Sequence, residues 1–215
     1  MKDGAFFEPG LYAEEYSIKE KDIRQCAGLM SRAFHDDPSI RYLLGGNDMG
    51  GEDWRYFNTI LKAVYNKCVM LSTDENVSDL LILFPPQLKT VPAVGFFANG
   101  GASLPGLYSR GLLKRTINYE GNCKAVKSRF VSLGAWYCMC FVVSPEKQGQ
   151  GVGSGLIRPV LRELDGKNTP LYLETHKLVN TEIYKHLGFD LVDVSAIPGT
   201  GISQYAMLRK PQRVV

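Results

Sequence analysis

One stretch decides the fold, and it reads Ala135-Trp136-Tyr137-Cys138-Met139-Cys140-Phe141-Val142-Val143-Ser144-Pro145-Glu146-Lys147-Gln148-Gly149-Gln150-Gly151-Val152-Gly153-Ser154-Gly155-Leu156. An aromatic and β-branched run is followed by a proline turn, a glycine-rich segment and an apolar helical pattern. That order predicts a strand, a turn and a helix. Glycines let backbone N–H groups approach an anion closely, and a helix N-terminus adds the positive end of its dipole. The stretch is therefore predicted to hold a phosphate group.

Two common phosphate-binding motifs do not fit this turn. A Walker loop needs Gly-Lys-Ser/Thr, because the lysine reaches the terminal phosphates, but Ser154 follows Gly153 with no lysine near it. The dinucleotide fingerprint needs Gly-x-Gly-x-x-Gly, whereas the glycines here alternate at 149, 151, 153 and 155. The turn also comes late in the chain, without a preceding βαβ series. Nucleotide-binding readings are therefore disfavoured.

A third pattern, Gln/Arg-x-x-Gly-x-Gly/Ala after a strand that ends in Val-x-Pro, is matched throughout. The segment from Gln148 to Gly153 supplies the loop, and Val143-Ser144-Pro145 supplies the strand end. At these residues the chain resembles the GNAT superfamily of acyl-CoA-dependent N-acetyltransferases. The resemblance covers about residues 137–189, and the first half of the chain matches only in its order of elements.

Within that superfamily, residues 135–189 are most similar to the puromycin N-acetyltransferase-like branch. The shared positions include Ala135-Trp136, Pro159 and Leu173-Glu174-Thr175. One departure concerns the substrate side, because Asp37 stands before Pro38 where that branch has an aromatic residue. The resemblance therefore does not imply that puromycin is the substrate.

The resemblance implies an α/β fold, of the α+β three-layer kind, for a single domain over residues 1–215. Helices would flank a mixed, mostly antiparallel sheet whose central strands splay apart. Residues 1–134 are expected to form the substrate-side half, and residues 135–210 the acetyl-CoA-binding core. Neither an internal repeat nor a convincing domain boundary interrupts the chain.

The resemblance also implies how acetyl-CoA would bind. Backbone N–H groups of the glycine turn would hold the pyrophosphate, and the strand edge at Val142 and Val143 would bind the pantetheine and polarise the thioester carbonyl. Asn180 would contact the cofactor or simply cap its helix. The alternative without a binding role is that the glycine turn merely links the strand to the helix and that Val142 and Val143 belong to an ordinary core strand. The implied cofactor-binding set is Val142, Val143, Gln148, Gly149, Gln150, Gly151, Val152, Gly153, Ser154, Asn180 and Tyr184.

Acyl transfer to an amine needs a neutral amine and a proton for the departing thiolate. Tyr184 matches the family position that protonates the thiolate, although a tyrosine on an amphipathic helix is more often part of the core. Glu174, at a strand end, is a candidate general base and equally a solvent-facing or salt-bridged carboxylate. His176 is the weaker candidate, and a water molecule is the third. The choice among these bases stays open here.

The expected function is transfer of an acetyl group from acetyl-CoA to a primary amine of a small molecule, by direct attack in a ternary complex. The alternative is a non-catalytic acyl-CoA sensor or interaction module of the same fold. No metal is implied. A net charge of +3 without basic–aromatic clusters argues against nucleic acid, and no apolar run approaches the roughly 20 residues of a membrane span. A cytoplasmic monomer or homodimer is expected.

Local patterns predict several further features. Ser17-Ile18-Lys19-Glu20 fits a capping box, and the helix that follows is expected to stop at His35-Asp36-Asp37-Pro38. Pro159 is expected to kink or break the helix after the glycine turn. The five cysteines are expected to be reduced, with Cys138 and Cys140 on one strand face. Residues 1–16 are expected to form a loose arm leading to a short strand.

Overall fold

The computed structural model describes residues 16–46, 53–108, 111–130 and 134–212. Of the arm expected over residues 1–16, residues 1–15 lie outside the described residues. The described strands are β1 (Tyr16–Ser17), β2 (Val69–Ser72), β3 (Asp79–Phe84), β4 (Trp136–Val143), β5 (Leu171–Thr175), β6 (Asp190–Ala196) and β7 (Ser203–Arg209). The α-helices are α1 (Ile23–Ala33), α2 (Pro38–Leu44), α3 (Trp54–Val64), α4 (Ala93–Phe96), α5 (Leu104–Leu107), α6 (Leu112–Phe130), α7 (Val152–Gly166) and α8 (Leu178–His186).

The strands form one seven-stranded sheet in the order β1-β2-β3-β4-β5-β7-β6. The pair β4–β5 is parallel, and every other neighbouring pair is antiparallel. The connection from β4 to β5 passes through α7, as a parallel pair requires. The expected mixed, mostly antiparallel α/β fold is confirmed.

The central strands β4 and β5 part soon after they meet. Only Trp136 and Tyr137 of β4 are paired with β5, opposite Leu171 and Tyr172. Beyond them β4 continues to Val143 with β3 alone as its described partner. The expected splaying is therefore present, and it leaves an opening between the C-terminal ends of β4 and β5.

A β-bulge in β4 changes which face its side chains occupy. Ile82 of β3 lies opposite Cys140 and Leu83 lies opposite Cys138, so Met139 is the extra residue. Because of the bulge, Cys140 packs in the cluster of α1 and α3, while Cys138 packs in the cluster of α7. The prediction that these two cysteines share a face was therefore wrong. All five cysteines are free thiols.

Helices cover both faces of the sheet. On one face α1 packs against α3 and β4, and α6 lies over β7. On the other face α7 packs against β3 and β4, and the hydrophobic cluster there includes Leu156, Ile157 and Leu173. The apolar stripe predicted from residue 156 onward thus faces the sheet, which fixes the start of α7 beside the end of β4.

One predicted helix start was wrong, whereas the predicted stop of α1 is confirmed, since α1 ends at Ala33 and the chain turns before Pro38. Ser17 lies in β1, and the carboxylate of Asp22 accepts the Lys19 backbone N–H at 2.9 Å, so the first helical turn begins at Glu20. Asp37 does not merely stop α1, because it is the N-cap of α2 and accepts the backbone N–H groups of Ser39 and Ile40. A proline at the first helical position suits this start.

Two other features also differ from the sequence-based expectation. Helix α7 runs unbroken through Pro159, because the strand-facing residues on both sides of it remain packed. Asn180 lies inside α8, whose N-cap is Lys177, so Asn180 does not cap the helix. Within the described ranges no helix is long and apolar enough to cross a membrane. No group of three or more potential metal ligands occurs in that part of the chain either.

Candidate functional site

The open end of β4 offers backbone groups that the sheet does not use. One edge of Val142 and Val143 is paired with Leu80 and Asp79 of β3, and β5 has already turned away from the other edge. An unpaired strand edge presents N–H and C=O groups to whatever lies beside it. The Gln148 side chain donates to the Val143 carbonyl at 3.0 Å and ties the glycine turn to this strand end.

The glycine turn leads from this strand end into α7. A short 3₁₀ turn over Pro145–Lys147 is followed by Gly149 and Gly151, which have φ values of 75° and 81°. Side chains other than glycine are strained in this left-handed region. Gly151 is the N-cap of α7, and the first N–H groups of a helix have no partner within it. The turn is exposed, so these N–H groups can bind an anion from solvent.

Gly153 fits the close approach that a phosphate cradle requires. A Cβ placed there would lie 3.0 Å from Cζ of Phe141 and 3.1 Å from Cγ2 of Val143. The missing side chain therefore lets the first turn of α7 pack directly on the end of β4. Ser154 follows on the exposed surface of the same turn. The turn and the strand edge thus meet at one place, as a pyrophosphate with an attached pantetheine would need.

Tyr184 of α8 reaches the same strand from the other side of Phe141. Its ring centroid lies 6.5 Å from that of Phe141 and 5.7 Å from that of Phe189. Burial raises the pKa of the Tyr184 hydroxyl, and the nearby Cys138 and Cys140 thiols raise it further. The hydroxyl therefore keeps its proton at neutral pH and can act as a donor.

Glu174 lies on the opposite face of the sheet from Tyr184. It shares its face of β5 with Tyr172, whose cluster includes Val126 of α6. Burial raises the pKa of Glu174 to about 7, although Lys127 and the hydroxyls of Tyr137 and Tyr172 lower it. Its Oε1 is buried and has no hydrogen-bond partner among the described residues. Such a carboxyl is able to accept a proton near neutral pH.

His176 follows β5 and is not the exposed loop histidine that the sequence favours. Its ring centroid lies 5.4 Å from that of Tyr119 of α6, and its Nε2 is buried without a partner in the described parts of the chain. Burial lowers the pKa of His176, and Asp37 opposes that shift. Asn180 is nearby in sequence, and its amide donates to Thr175 Oγ1 at 3.0 Å, which ties α8 to the end of β5.

The structure thus brings the glycine turn, Val142, Val143 and Tyr184 together around Phe141, and it places Glu174 and His176 across the sheet. Phe141 and Tyr119 were missed by the sequence analysis. Phe141 was assigned only to the strand, although it contacts both helices of the site. Tyr119 belongs to α6, where the spacing of Tyr119, Cys123 and Val126 offered a helical signal.

Comparison with known proteins identifies proteins that are similar to most of the chain. No family model matches it. An uncharacterized N-acetyltransferase of Schizosaccharomyces pombe is 40% identical over 191 residues, which cover 80% of this chain and 72% of that protein.

Solved structures share the fold. The structure titled histone acetyltransferase HPA2 and related acetyltransferase, from Corynebacterium glutamicum, has a TM-score of 0.60 at 17% identity and covers 94% of this chain and 98% of its own. Arylalkylamine N-acetyltransferase 2 of Aedes aegypti has a TM-score of 0.58 at 10% identity and covers 92% of this chain and 98% of its own. At such identities the likeness concerns the fold alone.

Two glycines of α7 form a matched pair that tests the close approach. We expect Gly153→Ala to lower the free energy of unfolding by about 1 kcal/mol, because its methyl group would press on Phe141 and Val143. Gly155 has open space around its Cα, so Gly155→Ala should raise the free energy of unfolding by roughly 0.5–1 kcal/mol through helix propensity. Urea denaturation measures both. Equal effects of the two substitutions would contradict the packing at Gly153.

Proposed function

The chain belongs to the GNAT-type N-acetyltransferases, and from this premise we propose that it transfers an acetyl group from acetyl-CoA to a primary amine of a small molecule. The observation that carries the proposal is the contact of the glycine turn with the open end of β4 at Gly153, with Tyr184 on the other side of Phe141. We further infer that residues 135–189 belong with the puromycin N-acetyltransferase-like branch, on the shared positions named above.

The proposed roles in acetyl-CoA binding follow from the backbone and side-chain groups that are accessible at the opening between β4 and β5. The backbone N–H groups of residues 148–153, together with Ser154, would bind the pyrophosphate, aided by the dipole of α7. Gln148 contributes by holding the turn to the Val143 carbonyl, and Gly149 and Gly151 contribute by their left-handed backbone. The free edge of Val142 and Val143 would run beside the pantetheine arm. Asn180 would act by holding α8 against β5.

Bound acetyl-CoA supplies the thioester that the amine attacks. A backbone N–H at the end of β4 would donate to the thioester oxygen, where negative charge develops during attack. The two side chains proposed to act on the reacting atoms lie on opposite faces of the sheet, Glu174 beneath α6 and Tyr184 on α8. The parting of β4 and β5 would let both reach one reacting centre.

Glu174 is proposed as the general base. A pKa of about 7 leaves about half of the carboxyl ionised at neutral pH, and the ionised form can take the proton that the attacking nitrogen loses. Its unpartnered Oε1 has the free acceptor capacity that this role needs. His176 is also held neutral by burial, and it would accept the proton only if an amine or a water molecule lay at its Nε2.

Tyr184 is proposed as the group that serves the departing sulfur. An alkyl thiol such as that of cysteine has a pKa of about 8.5, below that of a tyrosine whose pKa is raised by burial. The Tyr184 hydroxyl would therefore stabilise the developing thiolate chiefly as a hydrogen-bond donor. Solvent would complete the protonation of the thiol.

Two measurements test the proposed function. We expect acetyl-CoA to raise the melting temperature by mass action, with ATP and NAD giving no comparable shift. We then expect thiol release from acetyl-CoA to depend on an added small amine. Stabilisation by ATP alone would contradict the donor assignment. Stabilisation by acetyl-CoA without thiol release for any amine would instead favour a non-catalytic acyl-CoA sensor.

Sedimentation of the same samples distinguishes a monomer from the homodimer.

Removal of the Tyr184 hydroxyl is expected to affect the chemical step. Tyr184→Phe keeps the ring contacts with Phe141 and Phe189, so acetyl-CoA affinity should stay within about twofold. Loss of a donor to developing charge should lower kcat by roughly 10²–10³-fold. Steady-state kinetics and calorimetric titration with CoA measure the two effects. Tyr65→Phe serves as the control, and a Tyr184→Phe variant with unchanged kcat would remove Tyr184 from the mechanism.

The Glu174 carboxyl is expected to set one limb of the pH profile. The attacking amine must be neutral, so kcat/KM should fall tenfold per pH unit below the pKa of the amine. The base is active when deprotonated, so it should add a further tenfold fall per unit below about pH 7. Glu174→Gln should remove the limb near pH 7 and lower activity at pH 8 by roughly 10²–10⁴-fold. Glu182→Gln, at an exposed position of α8, should keep both limbs. A limb near pH 7 that survives in Glu174→Gln would assign the base to another group, with His176 the next to test.

A further inference from the structure

A set of unsatisfied polar atoms lies on the face of β5, β7 and β6 that α6 covers. Among the described residues, five buried side-chain atoms on this face have no hydrogen-bond partner, and they are Glu174 Oε1, His176 Nε2, Asp193 Oδ2, Ser195 Oγ and Gln204 Nε2, while the Tyr172 hydroxyl lies against Glu174. A buried polar group that gives up its hydrogen bonds to water and gains no partner destabilises the fold. The concentration of such atoms on one face therefore indicates a site that a polar ligand or water occupies.

Strand register places these groups in two adjacent rows. Ala206 of β7 lies opposite Glu174 on one side and Asp193 on the other. In the next row Gln204 lies opposite Ser195, and continuation of the β5–β7 register puts His176 beside Gln204. Ala206, with its small side chain, is the residue between the groups of the first row.

Helix α6 closes this face, and its contacts run along several turns of the helix. Tyr119 contacts the His176 ring, the Asn122 amide donates to Gln204 Oε1 at 2.7 Å, and Arg129 pairs with Asp193 Oδ1 at 2.5 Å. Helix α6 therefore covers the unsatisfied atoms. The residues Glu174, His176, Asp193 and Ser195 nevertheless keep partial exposure, whereas Gln204 is buried.

Gln204 is the most constrained member of the set. It is fully buried, and its Oε1 accepts from Asn122 and from the Cys123 thiol. These contacts fix the orientation of the amide, so its two Nε2–H donors point away from Asn122 and are unsatisfied. A neutral donor of this kind complements a hydroxyl or carbonyl oxygen. A ligand with a carboxylate would be repelled by the carboxylates of Glu174 and Asp193 on the same face.

We propose that this face is the acceptor site and that the acceptor is a short primary amine bearing a hydroxyl or carbonyl oxygen, which Gln204 Nε2–H binds while the amine lies at Glu174. Gln204 is a diagonal cross-strand neighbour of Glu174, at a Cα separation of roughly 7–8 Å, so one small molecule can reach both side chains. The inference rests on the proposed function, because Glu174 is the base of that reaction.

The test compares two amines that differ only at the oxygen, 1-amino-2-propanol and isobutylamine. A buried donor discriminates strongly against a ligand that leaves it unpaired. We expect the intact enzyme to favour 1-amino-2-propanol by at least about 100-fold in kcat/KM. Gln204→Met, which keeps the side-chain size and removes the donor, should reduce the preference to within about threefold. Gln25→Met, at an exposed glutamine of α1, should keep it. If Gln204→Met does not fold, Gln204→Asn withdraws the donor by one methylene and should also lose the preference.

A second readout separates this inference from the proposed function. The melting temperature is measured with each amine in the presence of saturating CoA. Because CoA carries no acetyl group, this measurement reports amine binding without turnover. Selective stabilisation by 1-amino-2-propanol that Gln204→Met abolishes would support the site even without turnover, and the proposed function alone would then fail. Turnover of both amines at equal kcat/KM would overturn the site and leave the function standing, with water as the occupant. A preference that Gln204→Met retains would overturn the role of Gln204. If the protein shows no turnover and no stabilisation with either amine, both proposals are overturned.

Discussion

The site depends on the early separation of β4 and β5. These strands are the one parallel pair in the described sheet, and they share only two residue pairs before they part. A fully paired β5 would satisfy the backbone of Val142 and Val143 and would close the sheet beneath the glycine turn. The bulge at Met139 lies in β4 between its paired and its open parts. A bulge increases local twist and bends a strand, so it is a physical means of directing β4 away from β5.

The same separation would let side chains from two chemically different faces of the sheet act in the proposed reaction. Glu174 lies among the buried tyrosines beneath α6, where desolvation favours the protonated carboxyl. Tyr184 lies on α8, against Phe141 and Phe189 on the other face. A continuous sheet would keep the two groups apart. The bidentate pair between Arg209 and Asp165, with distances of 2.6 and 2.7 Å, joins the end of β7 to the C-terminal end of α7, at the end of the sheet where β4 and β5 are still paired.

Much of this arrangement could be predicted from the sequence, because it follows from local patterns. The strand, turn and helix around Gln148–Gly153 follow from composition and periodicity, and the hairpin of β2 and β3 follows in the same way. The errors and omissions come from tertiary context. Asp37 caps the helix after it and does not simply end the helix before it, and the bulge at Met139 moves Cys138 and Cys140 to different faces. The polar face beneath α6 was inaccessible to the sequence, because it joins residues from α6, β5, β6 and β7 whose register no local pattern reveals.

The proposed reaction requires coenzyme A to bind across the open end of β4 and the glycine turn. Backbone amide chemical shifts during titration with CoA test this requirement most directly, because the proposed contacts are made by N–H groups. We expect the largest shift changes at the amides of Val142, Val143 and residues 148–153, with downfield movement at those that bind the pyrophosphate. Changes confined to another surface, such as the pocket lined by Lys185, Lys210 and Gln212, would contradict the account.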